Sequence, residues 1–213
     1  MTSPRDTILE LVAAGKIQPD EADQLLAALG PDRSRLDVWI LDPFEVIGPG
    51  RAWMLALLVC VASLALAPLH VRFDGAVDVH VVHEQVAWTT AVADQLVAWP
   101  LTAVLFWGVT TLSTRRARFL EMVAFVGAAR LPNLVAGAVT AVVVGDPTTF
   151  APDSIAALVL VATSVPFIGW LFVTLLSAFR AASGSEGRKL AGLFVIALVL
   201  AEIASKIVLA SFS

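Results

Sequence analysis

The chain is short of what most soluble proteins depend on. Only 15% of its 213 residues are charged, against about 25% in an ordinary soluble domain. It has one cysteine, Cys60, so an intrachain disulfide is excluded. That cysteine sits in an apolar run and reads as a buried, inert thiol. There is no basic block and the formal net charge is −4, which argues against nucleic acid as a partner. The sequence contains no G-x-S-x-G, no Walker lysine, no G-x-G-x-x-G and no cysteine cluster. No catalytic residue and no cofactor is therefore expected. The first fifty residues lack a long apolar run, so no cleavable signal peptide is expected either.

What the chain has is apolar surface. Hydrophobic residues make up 58% and the mean hydropathy is +0.85. A chain this short cannot hide so much in one soluble core. Five apolar stretches follow Arg51, at about residues 52–69, 86–112, 119–144, 154–178 and 190–212. Each approaches or exceeds the roughly 20 residues that cross a hydrocarbon core as a helix. Unbroken runs such as 135–144 exclude the alternation of a membrane barrel. The fold class expected is all-α, a polytopic membrane protein of five transmembrane helices preceded by a helical hairpin.

Basic residues set the expected topology. Arg5, Lys16, Arg33, Arg35 and Arg51 precede the first span. Arg115, Arg116 and Arg118 lie between spans two and three, and Arg180, Arg188 and Lys189 between four and five. The other connections carry Arg72 and the acids Asp74, Asp78, Glu84, Asp146 and Asp153. Basic loops stay cytoplasmic, so the N-terminus is expected inside the cell membrane and the C-terminus outside. Trp53 and Trp88 fall where interfacial belt residues stand.

Residues 1–30 read as two short helices. Ser3-Pro4 supplies a cap and a first-turn proline, Ile8, Leu9, Leu11 and Val12 an apolar stripe, and Gly15 a stop. Pro19, Asp20 and Glu21 open the second helix; Ala22, Leu25, Leu26 and Leu29 form its stripe, and Gly30-Pro31 end it. Helices this short need a partner surface. Residues 31–51 form an unusually apolar linker, broken at Asp42-Pro43 and Gly48-Pro49. Its Trp39 and Phe44 suit a headgroup boundary; packing on the hairpin is the alternative.

Two stretches resemble known families. "ILELVAAGKIQPDEADQLLAAL" resembles the SHOCT-like module at the ends of bacterial membrane and envelope-stress proteins, although Gln18 stands where Thr or Ser is usual. That resemblance implies self-association or partner binding. "DPFEVIGPGR" and "RARFLEMVAFVGAARLPNLVAGAV", with five spans, resemble the Yip1 family over about residues 36–213. Eukaryotic members act in membrane traffic and bind Rab-class GTPases. For a bacterial inner-membrane chain the resemblance implies a membrane class rather than an activity.

Charges inside the spans are costly and mark a candidate site. Arg130 and Glu202 lie near mid-span at matching depth, as do Asp94 and Lys206 further out. Arg130–Glu202 and Asp94–Lys206 are the pairs expected, with Glu202–Lys206 also possible along one helix. Asn133 adds a polar group beside Pro132. Pro100, Pro132 and Pro166 are expected to kink spans two, three and four. Three such kinks can open a cavity, or reflect the ordinary frequency of proline in membranes. Gly127, Ala128, Ala129, Ala136 and Gly137 predict a central third span. In the first long connection His80, His83 and Glu84 offer metal-ligand types. They match neither H-E-x-x-H nor H-x-x-E-H, so no metal is expected and a solvated loop is favoured. The function expected is a non-enzymatic membrane scaffold. A transporter, or transporter accessory, using the polar midplane is the alternative.

Overall fold

The computed structural model describes residues 4–29, 35–114, 117–145 and 155–211. The Ser3 cap, the Gly30-Pro31 stop, Arg33, Arg115, Arg116, Asp146 and Asp153 lie outside them. The chain forms two compact units, Met1–Val38 and Trp39–Ser213. The boundary falls inside the expected linker, so residues 39–51 belong to the second unit.

The first unit is the expected hairpin, α1 (Pro4–Ala13) and α2 (Pro19–Leu29). Gly15 takes a left-handed φ of 66°. The Lys16 amide donates to the Leu11 carbonyl and the Gly15 amide to Val12, each at 2.9 Å. This pair of bonds is a Schellman stop, which only a residue comfortable at positive φ closes cheaply. At the start of α2 the Gln18 amide donates to Glu21 Oε2 at 3.1 Å. Glu21 thus supplies one half of a capping box although Gln18 cannot supply the other.

The second unit is helical apart from one small ladder. After α3 (Arg35–Leu41) and a 3-10 turn at Pro43–Glu45 come α4 (Pro49–Ala65), α5 (Trp88–Thr114), α6 (Phe119–Ala128), α7 (Leu131–Val144), α8 (Ile155–Ser183) and α9 (Gly187–Ala210). Strands β1 (Val71–Arg72) and β2 (His80–Val81) pair antiparallel, Val71 with Val81 and Arg72 with His80. Among the described residues four segments are long and apolar enough to cross a membrane: Trp88–Leu112, Phe119–Val144, Ala157–Ser183 and Gly187–Ala210. The expected fifth, at 52–69, is the helix α4 of 17 residues. At 1.5 Å per residue it is about 26 Å long, short of a hydrocarbon core of about 30 Å.

The third segment is central, as its small residues predict: about two-thirds of it is buried, against one-third or less in the others. A Cβ on Gly127 would lie 2.4 Å from the Trp99 ring. The bare backbone therefore lets α5 close on α6, and the Trp99 indole donates to the Val123 carbonyl at 2.8 Å. Trp53 packs against Trp99 at a tilt of 59° with ring centres 6.1 Å apart, so it faces the bundle rather than an interfacial belt. Trp88 is exposed. Phe106, Phe179 and Phe194 meet edge to face with centroids 5.2–5.9 Å apart. These rings fill the space between α5, α8 and α9.

The three prolines act differently from one another. Pro100 and Pro166 sit within unbroken α5 and α8. Pro132 lies in the first turn of α7, where its missing N–H costs nothing. The third segment does not kink there but breaks, at Ala129-Arg130, into α6 and α7. Thr174 Oγ1 of α8 sits 3.1 Å from the Ala129 carbonyl and can satisfy it at the break. Pro166 is exposed and Pro100 half-buried.

The linker docks on the bundle. Phe44 and Ile47 are buried, and the Phe44 ring lies 5.0 Å from Phe125. Asp42, 5% exposed, accepts from Ser177 Oγ at 2.5 Å and from the Arg180 guanidinium. The Trp170 indole donates to the Ile40 carbonyl at 3.1 Å. A buried acid that satisfies two donors is a strong anchor, because its removal leaves the buried Ser177 hydroxyl without this acceptor and the partly exposed Arg180 without its ion pair. Asp42→Ala should cost about 1–3 kcal/mol. We expect a lower melting temperature in detergent and faster proteolysis of residues 39–47. An unchanged melting temperature would show that the ring contacts alone hold the linker.

Candidate functional site

Polar side chains gather at the end of the bundle where α4 hands over to the β1–β2 loop. Val71, Phe73 and Ala76 are buried. A Cβ on Gly137 would lie 2.9 Å from the Phe73 ring and 3.0 Å from Val71, so the loop rests directly on the α7 backbone. The first part of the connection expected to be solvated is therefore folded onto the bundle, whereas His83, Glu84 and Gln85 are exposed.

Its acids and amides capture the charged residues of the spans. Arg72 grips Asp94 of α5 through Nε–Oδ2 at 2.9 Å and Nη2–Oδ1 at 3.2 Å. Asp94 is 1% exposed. This two-point pairing neutralises an acid that would otherwise be stranded among apolar side chains. Lys206 Nζ of α9 lies 2.9 Å from Asp74 and 2.5 Å from Asp78. The Val77 amide donates to Glu202 Oε2 at 3.2 Å. A Cβ on Gly75 would stand 2.8 Å from the Glu202 carboxylate, so a side chain there would make that carboxylate shift.

None of the three expected pairs, Arg130–Glu202, Asp94–Lys206 and Glu202–Lys206, forms among the described residues. Matching by depth compares helices only, and the loop offers nearer partners to each group except Arg130. The sequence reading missed Arg72, Asp74 and Asp78 as members of the cluster. Their signal is present: three charges within seven residues at the start of that connection, facing a span that carries a lysine near its end.

Arg130 and Asn133 are different. Arg130 caps α7 and is 4% exposed; Asn133 is 3% exposed. Among the described residues Arg130 Nη1, Arg130 Nη2 and Asn133 Nδ2 have no hydrogen-bond partner. Asp94 and Glu202 act on the guanidinium through space. All three unmet groups are donors, so the break in the third segment holds a buried charge that lacks acceptors.

The metal candidates separate. His80 is in β2, an extended strand, and not on the helix face that would align it with His83. His83 and Glu84 line a cavity of about 570 Å³ with Arg72 and Gln85, and His80 is not among its lining residues. His80 Nδ1 instead lies 3.6 Å from Asp74 and 3.5 Å from Asp78. Among the described residues these three are the group whose ligand atoms lie close enough to share an ion. The Lys206 ammonium already bridges both carboxylates.

The pairing makes the loop sensitive to pH. The hydrogen bond with His80, with help from Lys206, holds the Asp78 carboxyl well below its usual range despite partial burial. The same bond raises His80 above its usual value, against partial desolvation. His80 thus contributes fully below its unfolded pKa of about 6.5, and the contribution fades as pH rises through its higher folded value. Asp78 contributes above about 3.9 and loses its share only in strong acid. The loop should be held most tightly between about pH 4 and 6.5. Melting temperature should fall between pH 6 and pH 8.5 in the native chain, and His80→Gln should flatten that slope. An identical slope in the variant would assign the effect to other groups.

No family model, no curated protein and no solved structure matches this chain.

Proposed function

We propose that this chain is a non-enzymatic, membrane-organising protein of the Yip1 type, whose N-terminal hairpin self-associates. In this reading α4 completes five crossings of the bacterial inner membrane. The linker and N-terminus are cytoplasmic and the C-terminus is extracytoplasmic. The basic residues around the linker and the α8–α9 turn support that orientation.

The observation that carries the reading is the hairpin. Among its described side chains Ala22 is the buried apolar one, while Leu9, Leu25 and Leu29 remain about half exposed. Two helices of 10 and 11 residues gain little from each other alone. A second copy of the same stripe would cover these leucines. Crosslinking and mass measurement of the full chain in nanodiscs should show an oligomer. Deleting residues 1–30, or substituting Leu9→Glu with Leu25→Glu, should give monomers whose bundle melts as before. Equal masses with and without the hairpin would reject the reading.

A second reading, small-solute transport, is favoured by the unmet donors of Arg130 and Asn133. An intramembrane charge without a partner is by default a functional candidate. It predicts chloride efflux from proteoliposomes that Arg130→Gln abolishes. Absence of efflux, or efflux that survives the substitution, would dismiss chloride transport through this site.

A further inference from the structure

Arg130 carries its charge at 4% exposure, and among the described residues neither terminal nitrogen of its guanidinium has a hydrogen-bond partner. A buried charge in that condition is costly, and an acid brought to it would relieve the cost. Two acids act on it through space, Asp94 more strongly than Glu202. Both are held by the β1–β2 loop instead. Glu202 accepts from the Val77 amide, and Asp94 is gripped at two points by Arg72. Asp94 therefore has two guanidiniums within electrostatic reach and is bonded to one of them.

The bonded guanidinium is the one with somewhere else to go. The Arg72 side chain is 23% exposed, against 2% for that of Asp94. Arg72 also lines the open cavity of about 570 Å³, on whose wall stands the exposed carboxylate of Glu84. Its long side chain can swing into that space while its neighbours Val71 and Phe73 stay buried. Arg130 has no such exit, because it is enclosed at the break between α6 and α7.

Asp94 cannot be left alone among apolar side chains, so Arg72 leaves only if another cation takes its place. Arg130 is that cation, with both terminal nitrogens free to donate. In one arrangement Arg72 holds Asp94 and Arg130 stays unmet. In the other Arg130 holds Asp94, and Arg72 is met by water and Glu84. Each arrangement keeps one buried ion pair, which is the condition for two states of similar energy.

We propose that Asp94 is a shared counter-ion that passes between Arg72 and Arg130, a partner exchange that links the surface of the β1–β2 loop to the break in the third segment. Whatever holds Arg72 in the cavity favours the Asp94–Arg130 pair, and whatever strengthens that pair frees Arg72. The inference goes beyond both functional readings and depends on neither.

The test labels the full chain in nanodiscs with phenylglyoxal, which reacts with guanidinium groups that water can reach, and follows Arg72 by peptide mass spectrometry. Arg72 should be modified several-fold more slowly in Arg130→Gln than in the native chain, because Asp94 then has no second partner and holds Arg72 throughout. Asp94→Asn should speed the modification, and adding Arg130→Gln to it should change nothing further. Equal or faster labelling in Arg130→Gln, or a slowing that persists in the Asp94→Asn background, would overturn the exchange. A structure of Arg72→Gln supplies a check that does not need Arg130→Gln to assemble. Asp94 should lie within hydrogen-bond distance of a terminal nitrogen of Arg130, and an Asp94 that stays apart from it would overturn the proposal.

Discussion

The approach of Trp99 to the bare backbone of Gly127 sets the spacing on which the second unit depends. It brings α5 onto α6, and α6 is also packed by α4 and α8. Any side chain at that position would displace an indole whose N–H is already committed to the Val123 carbonyl. With α5 held there, Asp94 is turned toward the β1–β2 loop, and α9, which packs along α5, presents Glu202 and Lys206 to the same loop. A similar closeness recurs at Gly137, where the loop itself lies on α7.

The two ends of the bundle solve one problem in the same way. Each has a non-helical segment folded against helices and tied by acids. At one end Asp42 secures the linker to α8; at the other Asp74 and Asp78 secure the loop to α9. Between them the third segment breaks, and its freed carbonyl at Ala129 has Thr174 within reach. Irregular backbone at membrane depth is tolerated where protein covers it. The buried break flanked by α4, α5 and α8 meets that condition.

The features legible in the sequence were those set by short-range rules. The hairpin follows from Gly15, Pro19 and the leucine spacing, and its ends fall where those residues place them. The central third segment follows from its run of small residues. What stayed hidden depends on chain returning from a distance. Nothing local to Arg72 or Asp74 says that the loop folds inward, so a pairing based on helix depth joined Arg130 to Glu202 and Lys206 to Asp94. The break at Ala129-Arg130 was hidden for a different reason. A proline in an apolar run reads alike as a kink or as the first turn of a new helix, and only the neighbours decide. Asp42 lay in a segment read as interfacial, because Trp39 and Phe44 suit a headgroup boundary as well as they suit a protein surface.

Helix lengths in the second unit are unequal. α4 has 17 residues and α8 has 29, or about 26 Å against about 44 Å. A bilayer thin enough for the one leaves the other overlong. The half of α8 that follows Trp170 is well packed, with Leu171, Leu175, Ala178 and Phe179 fully buried. The half before it has no buried residue among those described. That half is less deeply packed, and the exposed Pro166 stands close to the joint between the two halves. Mismatch with a membrane of different thickness is therefore met more cheaply in that half than in the stretch beside Asp42 and Phe44.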